Sequence, residues 1–273
     1  MKVTGICTVY FSPTGVTARL AGQLAGRLAQ KLALPCRTVD LTLPAARSRT
    51  WEFAADELVI CGVPVYAGRV PNKFLPALQL LHGQKTPALA LVSYGSRGFD
   101  SAPNELCAEL QKAGFVPFAA GAFAVQHAFT ARVGTGRPDA DDLRLLEKLA
   151  DAAADKLCAA QGVPAAVQPG GGAPVGPYYT PLGLDGQPAQ FLRARPVTDA
   201  AKCDRCGICA AVCPMGAIDA KDVFSVPGTC IKCQACIQKC PRGAKYFADE
   251  AFLSHVAMLE KTCLARREPQ LWW

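Results

Sequence analysis

The chain has 273 residues, a formal net charge of +7, 51% hydrophobic and 19% charged residues, and fourteen cysteines. It is too apolar for a disordered chain and long enough for two domains, and it has no apolar run of the length a membrane span needs. The positive charge is not gathered into a basic helix or an aromatic-interleaved stripe, which argues against nucleic-acid binding, and no secretory-type apolar segment follows Met1-Lys2. We therefore expect a cytoplasmic protein whose cysteines are free thiols or metal ligands rather than disulfides.

Residues 1–160 alternate strand-like and helix-like segments, the pattern of an α/β domain around a doubly wound, five-stranded parallel sheet. Strands are predicted at Val3–Phe11, Arg37–Leu41, Glu57–Val65, Pro87–Tyr94 and Val116–Val125. Several are apolar on both faces, as parallel strands covered by helices on both sides must be. Val16, Leu20, Leu24, Leu28 and Leu32 recur every fourth residue and mark the buried stripe of a first helix, which Pro35 stops. Further helices are expected at Asn72–His82, Ala102–Ala113 and Asp139–Ala160. Residues 161–196 turn to glycine and proline, including QPGGGAPVGP at Gln168–Pro177, and read as a linker. Tyr178 and Tyr179 within it suggest that it lies on a surface. A small α+β domain is expected at 197–247, followed by a helical tail at 248–273 that ends in Leu271-Trp272-Trp273.

Eight of the fourteen cysteines fall in forty residues, 202–241, as C-x2-C-x2-C-x3-C-P written twice. Cys203, Cys206, Cys209 and Cys213 form the first run and Cys230, Cys233, Cys236 and Cys240 the second. Three closely spaced thiolates fit three corners of one iron-sulfur cube, while the fourth, turned away by proline, reaches the other cube. One [4Fe-4S] cluster should then take Cys203, Cys206, Cys209 and Cys240, and the other Cys213, Cys230, Cys233 and Cys236. Zinc is the chemical rival, but an evenly repeated four-cysteine run with trailing proline is not a ribbon or finger layout. Residues 197–247 resemble the bacterial two-cluster ferredoxins, with every ligand position matched.

The first predicted strand runs through SPTGVT, Ser12–Thr17, straight into the first helix. By itself this turn reads equally as a capped helix start or as an anion site made of backbone N–H groups, hydroxyls and a helix N-terminus. It has neither the Gly-Lys-Ser/Thr ending of a nucleotide triphosphate loop nor the dinucleotide fingerprint. Together with the α/β pattern, the loop resembles that of the flavodoxins. The resemblance implies that Ser12, Thr14, Gly15, Val16 and Thr17 hold the phosphate of FMN. It also implies that two loops hold the flavin ring: PVYAGRVP, with Pro64, Tyr66, Ala67 and Gly68, and SYGSRGFD, with Ser93, Tyr94, Gly95 and Phe99. Tyr66 and Tyr94, with Phe99 as substitute, would flank the ring, and a carbonyl at Gly68 or Gly95 would meet flavin N5–H.

The whole order resembles the flavodoxin-ferredoxin fusion proteins of anaerobic bacteria. What that implies is an electron-transfer protein that couples two clusters to FMN and serves a partner reductase. The alternative is an enzyme that reduces a small molecule at its own flavin. Residues 1–160 carry 17 Lys+Arg against 13 Asp+Glu, unlike the acidic flavodoxins. Lys202, Arg205, Lys232, Lys239, Arg242 and Lys245 stand near the cysteines and read equally as a docking face for an acidic redox partner or as a solvated surface that balances the clusters' charge. His127, beyond the fifth strand, reads as structural more readily than as a proton donor.

Overall fold

The computed structural model describes residues 1–273. The α/β half is built from β1 (Gly5–Tyr10), α1 (Val16–Leu32), β2 (Cys36–Asp40), β3 (Trp51–Phe53), β4 (Glu57–Pro64), α2 (Leu75–Leu78), β5 (Leu81–Gly83), β6 (Thr86–Tyr94), α3 (Ala102–Lys112), β7 (Phe115–Ala124) and α4 (Ala140–Ala159). Five strands pair in parallel in the order β2-β1-β4-β6-β7. With the short β3 and β5 set aside, this is the 2-1-3-4-5 order of the flavodoxin-like doubly wound fold. All five predicted strands are found to within two residues of their expected ends.

Side chains alternate across the sheet, as the two-residue strand period requires. In β4, Leu58 and Ile60 join a core under α1 and α4, while Val59, Cys61 and Val63 join one under α3. Leu20, Leu24 and Leu28 of α1 have no exposed surface, and each contributes about 1.5 to 3 kcal/mol by burial. Asp139 caps α4 through a reciprocal pair of bonds with Asp142, at the residue where the sequence placed the helix start.

The helix expected at Asn72–His82 is a single turn, Leu75–Leu78. Phe74, Ala77, Leu78 and Leu81 do bury at helical spacing, but Pro71 and Pro76 supply no N–H groups to propagate a helix. The chain extends instead, and β5 pairs in parallel with β3.

The second half holds β8 (Val197–Thr198), α5 (Ile208–Ala211), α6 (Ala235–Gln238) and β9 (Lys245–Tyr246), with β8 and β9 antiparallel. The two cysteine runs share one backbone. Arg205 and Lys232 have φ of 59° and 57°, Gly207 and Gln234 78° and 68°, and Gly216 and Gly243 both 57°.

The tail departs from the expected single helix. α7 (Glu250–Thr262) ends, and β10 (Gln270–Trp272) pairs antiparallel with the free edge of β7. Pro269 cannot continue a helix, and the β7 edge offers unpaired N–H and C=O groups. Leu271 then packs on the α1/α4 core and Trp272 on the α3 core. Arg266 holds the approach through Asp139 at 2.6 Å.

Candidate functional site

Cys203, Cys206, Cys209 and Cys240 border one concavity of the second half. Cys213, Cys230, Cys233 and Cys236 border another. These are the two interleaved sets that the spacing implies, each taking its fourth thiol from the other run. Four thiols around each cavity suit a cube.

Backbone N–H groups already point at sulfur, Ala217 to Cys213 Sγ at 3.2 Å and Ala244 to Cys240 Sγ at 3.3 Å, and such bonds tune a cluster's potential. Burial pushes the Cys233 and Cys236 thiols up to about 12, so metal must displace their protons as the second site loads.

At the other candidate site, Gly15 has φ +92° and starts α1, a conformation that strains any residue with a Cβ. Ser12 Oγ accepts from the Ala18 N–H at 3.0 Å, and Ser12 N–H donates to Thr42 Oγ1 at 2.9 Å. Thr17 Oγ1 lies 2.7 Å from Ser93 Oγ, joining the loop to the end of β6. One hydroxyl proton of that pair remains over, because a single bond uses only one. The N–H groups of Thr14, Val16 and Thr17 have no protein acceptor, which suits an anion at the helix N-terminus.

The two expected ring loops lie side by side at the carboxyl edge of β4 and β6, where Val65 N–H bonds Ser93 C=O at 2.8 Å. Tyr66 and Arg69 close a tight turn with Ala67 and Gly68 at its centre, both at positive φ. Tyr66 is half-buried at this turn. Tyr94 is 3% exposed, in the core and edge-on to Phe99, which in turn meets Trp272. Only Tyr66 of the expected ring-flanking pair therefore stands at the loop surface. Gly95 admits the His127 ring so closely that a Cβ would come within 2.5 Å of it.

The cysteine half docks on this same edge. Ile231, between Cys230 and Cys233, packs on the α3 core together with Val65 and Phe99. Burial pushes the Tyr66 phenol well above its ordinary range, and Cys233 and Cys230 act in the same direction. The Arg47 guanidinium donates to the Pro214 carbonyl, and Gln238 Nε2 to the Ala128 carbonyl at 3.1 Å.

An aromatic group fastens the joint. His127 meets Phe129, Phe129 meets Phe252, and Phe252 meets Phe191 and Phe247. The linker runs along the ring loops, with Tyr179 N–H on Ala67 C=O at 2.9 Å and Tyr178 OH on Val70 C=O at 3.2 Å. Burial, with help from His255 and Arg97, brings the His127 imidazole down to about 4. It is therefore neutral near pH 7 and accepts the Phe129 N–H at Nδ1. The sequence could not place the tail strand or this aromatic group, since both depend on contacts between distant segments.

A family model for the 4Fe-4S dicluster domain matches residues 202–244. This segment is a dicluster ferredoxin domain with sites for two [4Fe-4S] clusters, and the paired cavities of the structure fit them. No curated protein matches the chain. Among solved structures, it is similar to a flavodoxin of Streptococcus pneumonia TIGR4, with 18% identity, 55% of this chain and 98% of that one covered, and a TM-score of 0.40. It is likewise similar to a flavodoxin from the domain Archaea, with 16% identity, coverage of 57% and 99%, and a TM-score of 0.38. For an NADH:FMN oxidoreductase in its apo form the values are 16%, 58% and 92%, and 0.41. No helix is long and apolar enough to cross a membrane.

Proposed function

We propose that this is an electron-transfer protein in which the two clusters exchange electrons with an FMN bound at the carboxyl edge of the sheet, on behalf of a separate redox protein. The observation that carries this reading is the seat of the second cysteine run, where Ile231, between Cys230 and Cys233, packs on the α/β core. The inner site then adjoins the ring loops, and the outer site, with exposed Cys206, faces solvent. When bound, FMN accepts electrons singly or in pairs and so joins one-electron carriers to two-electron chemistry.

In this reading the N–H groups of Thr14, Val16 and Thr17 and the hydroxyl of Thr14 receive the phosphate. Ser12 shapes the loop through Ala18 and Thr42. Tyr66 flanks the ring, and Tyr94 supports Phe99 from the core. With the ferredoxin domain docked over the ring loops, electrons enter or leave through the exposed outer site, which favours an electron carrier over a small-molecule reductase. The partner meets the outer site, where Lys202, Arg205, Lys239 and Arg242 are exposed. Asp199 and Asp204 offset two of these charges, so an acidic partner is favoured by a modest margin.

The test is anaerobic reduction of the reconstituted full-length chain at several protein concentrations. Flavin reduction that follows cluster reduction at a concentration-independent rate supports the reading. A rate that scales with concentration places transfer between molecules, and stoichiometric turnover of a metabolite by the protein alone makes it an enzyme.

A further inference from the structure

The two cysteine runs align without a gap at a spacing of 27, and one of the positions at which they differ lies deep inside. After each trailing proline the chain reads MGAI, ending at Ile218, or RGAK, ending at Lys245. Ile218 is buried in an apolar group with Cys209, Val223 and Cys236. Lys245, its counterpart, is equally buried at 3% exposure.

Burying an ammonium costs several kcal/mol unless an opposite charge answers it. The other buried charges of the chain obey this rule, Glu105 with Arg69 and Asp142 with Arg137. Lys245 does not. The ion pairs of its own domain, Lys202–Asp199 and Arg242–Asp204, lie at the surface and exclude it. Its Nζ donates to the Val223 carbonyl alone.

What lies around it instead is cluster ligation. Lys245 lines the outer cavity. Val223, whose carbonyl it holds, packs with both Cys209, an outer ligand, and Cys236, an inner one. A [4Fe-4S] cube with four thiolates is a net anion in either oxidation state, and more so when reduced.

We infer that Lys245 is the internal counter-ion of the two clusters, a positioning residue that raises the reduction potential of both and of the outer one most. Reduction adds one electron to a cluster, and a positive charge beside it favours the reduced form by simple Coulomb attraction. Such a residue keeps the outer cluster at least as easily reduced as its exposure to water would allow, and it does so from inside, where salt and partner docking cannot screen it. The inference rests on the two cluster sites and is independent of the flavin reading, so failure to bind FMN leaves it untouched.

The experiment is EPR-monitored redox titration of the reconstituted full-length chain with Lys245→Met, Lys245→Ile and Lys245→Arg. Methionine keeps the stem without charge, isoleucine copies the other run, and arginine keeps the charge. The Met and Ile variants should favour oxidation of the outer cluster by about tenfold, a fall of 59 mV for a one-electron couple, with a smaller fall at the inner cluster. Arginine should hold both potentials near those of the unaltered protein. Met and Ile variants that carry both clusters at unchanged potentials overturn the inference. Independently of any variant, the protein labelled with 15N at lysine Nζ should show one lysine nitrogen coupled to the reduced outer cluster by ENDOR. Absence of that coupling overturns it as well.

Discussion

Asp204 is exposed and pairs with Arg242, whereas Ile231, at the equivalent place in the second run, packs on the core of the α/β half. Arg242 lines the outer cavity and is exposed, while its counterpart Met215 lines the inner one and is partly buried. One of the four cysteine pairs follows suit, with Cys206 exposed and Cys233 buried. The repeat keeps its ligands and backbone conformation while its other positions diverge according to what each face meets, water on one side and the sheet on the other. Internal symmetry thus serves assembly of two like cofactor sites, and its breaking assigns them an outside and an inside.

The largest expected effect is on this division. Cys233→Ser should remove the inner cluster and slow electron flow to the flavin by more than roughly a hundredfold, while leaving the outer cluster in place. Cys240→Ser should damage the outer cluster although it lies in the second run. Iron analysis should fall from about eight to about four per chain in each, and EPR should show which site survives. Loss of the inner cluster from Cys240→Ser would break the interleaved assignment.

Next in size is the phosphate loop. Thr14→Ala should weaken FMN binding by roughly tenfold or more, since a bond to a charged group contributes about 1.5 to 3 kcal/mol. Thr17→Ala should cost less, because its hydroxyl already bonds Ser93 at 2.7 Å and its N–H survives substitution. Fluorescence titration with FMN measures both, and unchanged affinity in the double variant moves the phosphate site elsewhere. Visible spectra of the clusters should be unaltered.

How much of this was legible in the sequence depended on the range of the interactions involved. The grouping of cysteines around two cavities follows the pattern that eight cysteines, their spacing and two prolines write locally. The five strands and α4 were readable for a similar reason, through apolar periodicity and the Asp139 cap. Phe74 to Leu81 misled because a buried stripe at helical spacing was divided between one turn and a strand, and only the distant Trp51–Phe53 segment decides that. Tyr94 read as a ring-flanking aromatic because it ends a strand. Its burial comes from Phe99 and a tail strand 170-odd residues on, which no local pattern encodes.

The tail sets up a smaller test. Trp272→Ala removes a half-buried indole from the α3 core but leaves the β10 ladder, so a loss of about 1 to 3 kcal/mol is expected in urea unfolding. Because Trp272 reaches the ring loops only through Phe99, cluster content should stay constant. Deleting Leu271 to Trp273 should cost more and loosen the joint. A deletion that leaves both stability and cluster-to-flavin transfer unchanged would separate the tail from the comparison between outer and inner sites.

The smallest expected effect is on pH dependence at the joint between the halves. His127 is neutral in the folded protein because burial lowers it from 6.5 to about 4, and burial also lowers His255, whose Nδ1 donates to Leu182 C=O at 2.8 Å. Below pH 6.5 the unfolded chain takes up a proton that folded His127 refuses, so stability must fall as pH drops from about 6.5 to 4 and level off below. Above pH 6.5 the contribution is fully present. For a half-buried ring the loss is about 2 kcal/mol, and it should act first on the docking of the ferredoxin domain, since His127 meets Phe129 and through it the tail helix. His127→Gln cannot titrate and keeps a polar side chain beside Gly95. In that variant the fall in thermal midpoint between pH 7 and pH 4.5 should be shallower than in the unaltered chain, with the outer cluster's spectrum unaffected at either pH. An identical fall in both proteins would assign the acid lability to the clusters themselves rather than to the joint that holds the inner one against the sheet.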